Sequence, residues 1–311
     1  MGAATAARGL LGIDVGGTKV ALRAEGGAPG GPVRTEEAVL PWPEARGAAA
    51  DWAALADAVA RLRERWGGDF TAVGVAMPAT VGPDGRVLAW PGRPGWEDFG
   101  LAQALRELFP AATVGWADDG DLAALAEAVH AGRDHLVYLG VGTGVGGGVV
   151  HRGAPLPGPS RGSCEAGHLI VDRGGPRCDC GRHGCLQATA SGPATLRRAA
   201  LLRGAPVGFA ELRAALAGGE PWAEEAVEET CSALAAAAVS LAELFHPELT
   251  VVGGGFADGL PGFAARVEAH AAALARPGGP APAIRPAALG GLSSLHGAVA
   301  LARRQPLGEP S

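Results

Sequence analysis

Residues 161–192 read RGSCEAGHLIVDRGGPRCDCGRHGCLQATASG. His168, Cys178, Cys180 and Cys185 place an imidazole and three thiols close together here, and four such ligands can close a tetrahedral zinc site with no open position. Gly174, Gly175, Gly181 and Gly184 let the backbone bend around a small ion. The Cys-x-Cys-x4-Cys spacing is not the Cys-x2-Cys of common zinc fingers. The plainer alternative is a loop of uncoordinated side chains, but free thiols rarely gather among so many glycines and so few apolar residues.

Outward from the knuckle, residues 139–149 (LGVGTGVGGGV) repeat a pattern already present at residues 11–21 (LGIDVGGTKVA), without a gap. Each copy is an apolar strand, a glycine turn with a threonine, and a returning apolar strand. Such a turn places backbone N–H groups around a phosphate, and the threonine adds a hydroxyl. Asp14, Gly16, Gly17, Thr18 and Lys19 of the first copy and Thr143 and Gly144 of the second are the predicted ATP contacts, with Asp14 near a bound Mg²⁺. Neither copy is a Walker loop, because no Gly-Lys-Ser/Thr opens a helix. One copy alone reads equally as an ordinary turn. Two in register imply two similarly built domains holding one nucleotide.

The segments GSCEAGHLIV and CDCGRHGCLQATAS resemble the signature of the ROK family of sugar kinases and repressors, and the likeness runs from Leu10 to Arg303. The first hairpin resembles the first phosphate loop of the actin, Hsp70 and hexokinase superfamily. The resemblance implies an α/β, two-domain actin/Hsp70/hexokinase-like (ribonuclease H-like) ATPase fold with a zinc knuckle. Its domains are expected at 1–117 plus 294–311 and at 118–293. It further implies ATP, Mg²⁺ and a structural Zn²⁺, a sugar-sized substrate and a homodimer. Asp119 falls on the family's catalytic base, while Asp118 replaces an asparagine that holds ring hydroxyls. Glu165 and His168 should contact the sugar, with His168 also on zinc. Gln187 replaces a glutamate, Gly92 stands where relatives often place an asparagine, and Gly254 and Gly255 fall on the adenosine side.

The carboxylates carry an argument of their own. Residues 118–121 read DDGD at the junction of a predicted strand (113–117) and helix (122–129). Three like charges there repel, and a helix N-terminus offsets only part of that; capping explains one or two of them. Phosphoryl transfer to an alcohol needs one carboxylate within reach of the reacting hydroxyl. The three departures at Gly92, Asp118 and Gln187 point away from plain glucose. Asp118 is an anionic acceptor that suits an aminohexose such as kanosamine, whereas Gln187 suits a C7-cyclitol; glucose stays open. A primary hydroxyl is the family's habit.

Other expected elements are strands at 10–13, 20–23, 72–76 and 249–252 and helices at 51–66, 101–109, 194–202, 222–245 and 293–303. Asp51 is expected to cap the first helix and Gly67 to end it. Trp90 and Trp96 read as structural as readily as sugar-stacking, Cys231 reads as core, and 305–311 reads as a tail.

The chain has 311 residues, enough for two domains. A net charge of −6 argues against a nucleic-acid surface, since phosphate binding needs a basic face. About nine residues precede the first predicted strand, too few for the winged helix of a sugar-responsive repressor. A non-catalytic sugar-binding protein is a further alternative, opposed by the presence of Asp14, Asp119 and both hairpins. No apolar run approaches the ~18 residues of a membrane span, and residues 1–8 lack a signal-peptide core. Five cysteines, three of them in the knuckle, fit a reducing cytoplasm.

Overall fold

The computed structural model describes residues 9–27, 32–43, 47–90, 92–158, 162–279 and 281–305. Residues 1–8, and the predicted tail apart from Gln305, lie outside that set. The chain forms two units, Met1–Ala126 with Pro157–Ser163 and Leu292–Ser311, and Glu127–Leu156 with Cys164–Gly291.

The first unit contains β1 (Gly9–Val15), β2 (Lys19–Gly26), β3 (Arg34–Pro41), α1 (Ala48–Trp66), β4 (Phe70–Ala76), the short ribbon β5 (Thr80–Val81) and β6 (Val87–Ala89), α2 (Leu101–Leu108) and β7 (Thr113–Ala117). Helix α3 (Asp119–Ala131) begins in this unit. The second holds β8 (Leu136–Val141), β9 (Val145–His151), β10 (Ala154–Leu156), α4 (Leu186–Ala190), α5 (Gly192–Arg203), α6 (Phe209–Ala217) and α7 (Pro221–Phe245). It ends with β11 (Leu249–Gly253), α8 (Gly255–Asp258), α9 (Phe263–Leu274) and β12 (Ile284–Pro286); α10 (Ser293–Arg304) returns to the first unit.

Each unit is built on a five-stranded sheet of the same topology. The orders are β3-β2-β1-β4-β7 and β10-β9-β8-β11-β12. In each, three consecutive strands form an antiparallel meander whose first strand is continued by two parallel neighbours. Parallel strands covered on both faces read as continuous apolar runs, as β1 and β4 do. On one face Leu11, Ile13, Val73 and Val75 join Leu55, Val59 and Leu62 of α1 in a core. On the other, Gly12 and Gly74 admit α10: a Cβ on Gly74 would sit 2.0 Å from the Ala298 carbonyl oxygen. Gly297 lies as tightly on the Leu122 backbone, which joins the start of α3 to the first unit, although 118–126 had been expected in the second.

The repeat is offset from its sequence alignment. Val15 and Val141 end the outgoing strands, and Lys19 and Val145 begin the returning ones. Leu11 therefore matches Val137, not Leu139. In the outgoing strand a slip of two residues keeps every side chain on its own face, so its apolar pattern could not distinguish the two registers. In the returning strand Val20 lies opposite Val15 as Val145 lies opposite Val141, because the first turn is one residue longer.

Candidate active site

In the first unit the turn at 16–18 joins β1 to β2, with Gly16 N–H donating to the Lys19 carbonyl at 3.0 Å. Gly17, Thr18 and Lys19 are exposed. Trp42, just past β3, holds this turn twice: its backbone N–H donates to the Thr18 carbonyl at 3.3 Å and its Nε1–H to the Gly16 carbonyl at 2.7 Å. Asp14, near the end of β1, is raised to about 6, first by burial and then by the charge of Asp119, with Lys19 opposing. The first unit thus brings together the predicted cation-side carboxylate and the predicted base. Asp119 opens α3, and its carbonyl accepts from Ser294 Oγ at 3.2 Å. Asp118 caps that helix: Oδ1 accepts from Gly120 N–H at 2.9 Å and its carbonyl from Leu122 N–H at 3.0 Å.

Asp51 is not the cap that its position suggested. Helix α1 starts three residues earlier, because Gly47 takes the N-cap position and accepts the Asp51 N–H. Asp51 is instead a buried carboxylate, 1% exposed. Arg93 Nε and Nη2 each donate to it at 3.1 Å, and Trp96 Nε1 donates at 2.8 Å. The Arg93 guanidinium lies 4.7 Å from the Trp42 ring centroid. Trp90 and Trp96 are buried against each other in the core, which is the structural of their two expected roles. A cavity of about 680 Å³ is lined by Gly17, Thr18, Trp42, Gly92 and Arg93, among others. Asp51, Arg93 and Trp42 were missed as a set, since nothing in the sequence marks a helix aspartate and an arginine 42 positions later as partners.

In the second unit the turn at 142–144 joins β8 to β9 and is supported differently. Gln187 Oε1 accepts from Val145 N–H at 3.2 Å. Gly167 packs on the same residue from the turn at 166–168; a Cβ there would lie 1.9 Å from the Val145 carbonyl oxygen. Glu165 and His168, at the ends of that turn, are therefore set by the second hairpin. Glu165 is exposed and its carbonyl accepts from His168 N–H.

The four expected zinc ligands converge. His168 Nδ1 is 3.7 Å from Cys178 Sγ, Cys180 and Cys185 sulfurs are 3.6 Å apart, and all four ligand atoms lie within 4.8 Å of one another. Zn–S near 2.3 Å and Zn–N near 2.0 Å in a tetrahedron require separations of about 3.8 and 3.6 Å, so the donor set fits a zinc ion. Gly184 is required for this fold of the knuckle, with φ of 75° and no room for a Cβ beside the Asp172 carbonyl. The Cys180 thiol is lowered to about 6 by the backbone N–H of Arg182 and then by its side chain, whereas burial pushes the Cys185 thiol up to about 11; a metal ion binds both as thiolates. Cys231 is fully buried in the second core, as expected, and none of the five cysteines is in a disulfide.

Beside the second turn, Gly142, Thr143, Gly192, Leu196, Phe209 and Phe256 line an apolar cavity of about 370 Å³. Gly254, with φ of 93°, lies on the Val141 backbone, and Gly255 lines the cavity. The Phe209 and Phe256 rings, 5.2 Å apart, were not singled out in the sequence; only the glycines before Phe256 marked the place.

The ROK family model matches residues 10–305. The chain belongs to the ROK family. It is 56% identical over 299 residues to a kanosamine kinase of Amycolatopsis mediterranei, across 96% of this chain and 97% of that protein. A ROK hexokinase from Thermus thermophilus superposes with a TM-score of 0.83 at 34% identity, covering 95% of this chain and 98% of that one. A ROK family glucokinase from Streptomyces griseus, in complex with glucose and AMPPNP, gives 0.76 at 27% identity, covering 96% and 100%. The two-sheet α/β fold is that of these ROK structures. Among the described residues no helix is long and apolar enough to cross a membrane.

Proposed function

We propose that this ROK protein is an ATP-dependent kinase that phosphorylates a hydroxyl, in our reading the primary one, of an aminohexose of the kanosamine type. The observation that carries the acceptor is the 56% identity to a kanosamine kinase over nearly the whole of both chains. The geometry supports the chemistry. Asp119 accepts the proton of the reacting hydroxyl, a role that contributes roughly 10²- to 10⁴-fold in rate. The turns at 16–18 and 142–144 hold phosphate oxygens through N–H groups and the Thr18 and Thr143 hydroxyls. The apolar cavity between Phe209, Phe256 and Gly255 takes the adenine. Burying Asp14 near the charge of Asp119 is costly, and that donor chemistry fits a divalent cation. Mg²⁺ at Asp14 would offset charge on the transferred phosphoryl group.

His168 gives Nδ1 to the zinc cluster, which leaves Nε2 for the sugar; zinc at His168, Cys178, Cys180 and Cys185 then fixes the orientation of the ring and of Glu165. Asp118 caps α3 through one carboxyl oxygen, and an ammonium group on the acceptor suits a carboxylate better than a neutral hydroxyl does. Gly92 leaves space where an asparagine side chain would stand. A cytoplasmic homodimer completes the reading; the free cysteines support the compartment, and light scattering tests the dimer.

The deciding experiment measures ADP release with kanosamine, glucose, N-acetylmannosamine and a C7-cyclitol. Kanosamine should give the highest kcat/KM; a higher value for glucose or the cyclitol overturns the aminohexose reading. Asp118→Asn should lower the preference for kanosamine over glucose by roughly 10- to 100-fold, the range of a charge-assisted hydrogen bond. Unchanged selectivity removes Asp118 from the argument.

A further inference from the structure

We infer that Trp42 is a positioning residue for nucleotide binding, acting through the first phosphate turn, with Asp51 and Arg93 holding its ring in place. This rests on the kinase reading above. Within one peptide plane the carbonyl and the following N–H point in opposite directions. The 2.7 Å bond from Trp42 Nε1 to the Gly16 carbonyl therefore fixes the direction of the Gly17 N–H. Gly16 and Gly17 carry no side chain to restrict their dihedrals, and inside the turn only the Gly16 N–H bond to the Lys19 carbonyl restrains them. An outside contact is therefore needed to set the aim of that N–H. The second bond, from the Trp42 backbone to the Thr18 carbonyl, closes the other end.

An indole can aim a peptide only if its ring is itself fixed. The Arg93 guanidinium lies over it at 4.7 Å, and the Trp96 ring is tilted against it with centroids 6.2 Å apart. Arg93 is held in turn by the two-point fork on buried Asp51, and Trp96 donates to the same carboxylate. Buried ion pairs contribute little net stability but fix geometry, and losing one partner strands a buried charge. The chain of contacts runs from α1 through the 92–96 loop to the turn, all within the first unit. The loop that carries Gly92 and the turn that carries Gly17 are thereby joined as one rigid piece.

The test is Trp42→Phe, which keeps a ring for Arg93 and removes the Nε1 donor. Parent and variant are compared by ADP release and by calorimetric binding of ADP. In the variant, KM for ATP should rise and ADP affinity fall by roughly three- to tenfold, the range of one neutral hydrogen bond. The acceptor KM should stay at the parent value, and the urea midpoint should fall by no more than the loss of that one hydrogen bond. A nucleotide KM equal to the parent's, or equal losses in both KM values, overturns the inference. If Trp42→Phe does not fold, Arg93→Lys replaces it: this variant keeps the charge but loses the fork and the planar stack. It should show the same nucleotide-selective loss, and parent-like ADP affinity overturns the inference. A parent that releases no ADP with any acceptor instead sinks the kinase reading, whatever the variants do.

Discussion

The two glycine turns occupy the same place in two sheets of identical strand order, yet they are braced by unlike means. The first is held from beyond its sheet edge by an aromatic ring backed by an ion pair; the second by a glutamine amide and a glycine wedged onto the Val145 backbone. Topology repeats the turn; it does not repeat what steadies it. In the first unit the brace reaches toward the 92–96 loop, and in the second toward the zinc knuckle through Gly167, His168 and Gln187. Each turn is thus tied to a segment that carries a predicted sugar contact, Gly92 in one and Gln187 in the other.

The largest expected effect divides the units by chemistry. Asp119→Ala should lower kcat by about 10²- to 10⁴-fold with a thermal midpoint close to the parent's. A nearly active variant would mean that the first unit does not supply the base. Next comes the metal. The purified protein should contain one zinc per chain by mass spectrometry. A chelator should lower the unfolding free energy by about 3 kcal/mol or more, the stabilisation lost when a ligand present at over a hundredfold its Kd is removed. Unfolding that ignores the chelator would leave the second turn without its expected anchor.

A third test uses pH. Asp14 is raised from 3.8 to about 6 in the folded chain, so the folded state binds its proton more tightly than the unfolded state. Its contribution to stability is fully present below pH 3.8 and is lost as pH rises through 6. In the absence of nucleotide and divalent cation, Asp14→Asn should therefore stabilise the protein at pH 7.5 by roughly 2 kcal/mol and by much less at pH 4. An equal effect at both values would contradict the upward shift of Asp14 by burial and by the charge of Asp119. The smallest effect sharpens the comparison itself. Gln187→Leu strands the Val145 N–H and should raise KM for ATP by roughly three- to tenfold, about one hydrogen bond. If it alters only the acceptor KM, Gln187 is a sugar contact first and a brace second.

Reading the chain reached the parts whose chemistry is local. The four zinc ligands lie within a single short stretch, both turns carry their glycines, and strand Thr113–Ala117 has its predicted bounds. Long helices with a clear apolar stripe, such as α7, came out within one residue. Strand β3 was missed because RTEEAVLP lies at the sheet edge with alternate residues exposed, so its charges hid its pairing with β2. Helices α6 and α9 are short and rich in alanine, with little contrast between faces. The Asp51–Arg93–Trp42 set was not legible at all, because each of its contacts joins residues that only the tertiary fold brings together. Gln187 was read by analogy as a sugar ligand, and its bond to the Val145 backbone could not be inferred from a substitution in a motif.

Helix α10 has a consequence for how the molecule is made. The face of the first sheet that carries Gly12 and Gly74 is completed by residues 293–304, whereas the second sheet and its helices come from a run that is almost continuous in sequence. On the ribosome, the earlier-synthesised half must wait for the late arrival of its covering helix, and the later half can consolidate ahead of it. The sheet face at Gly12 and Gly74 is then among the last parts of a nascent chain to find its partner, although it is translated well before that helix.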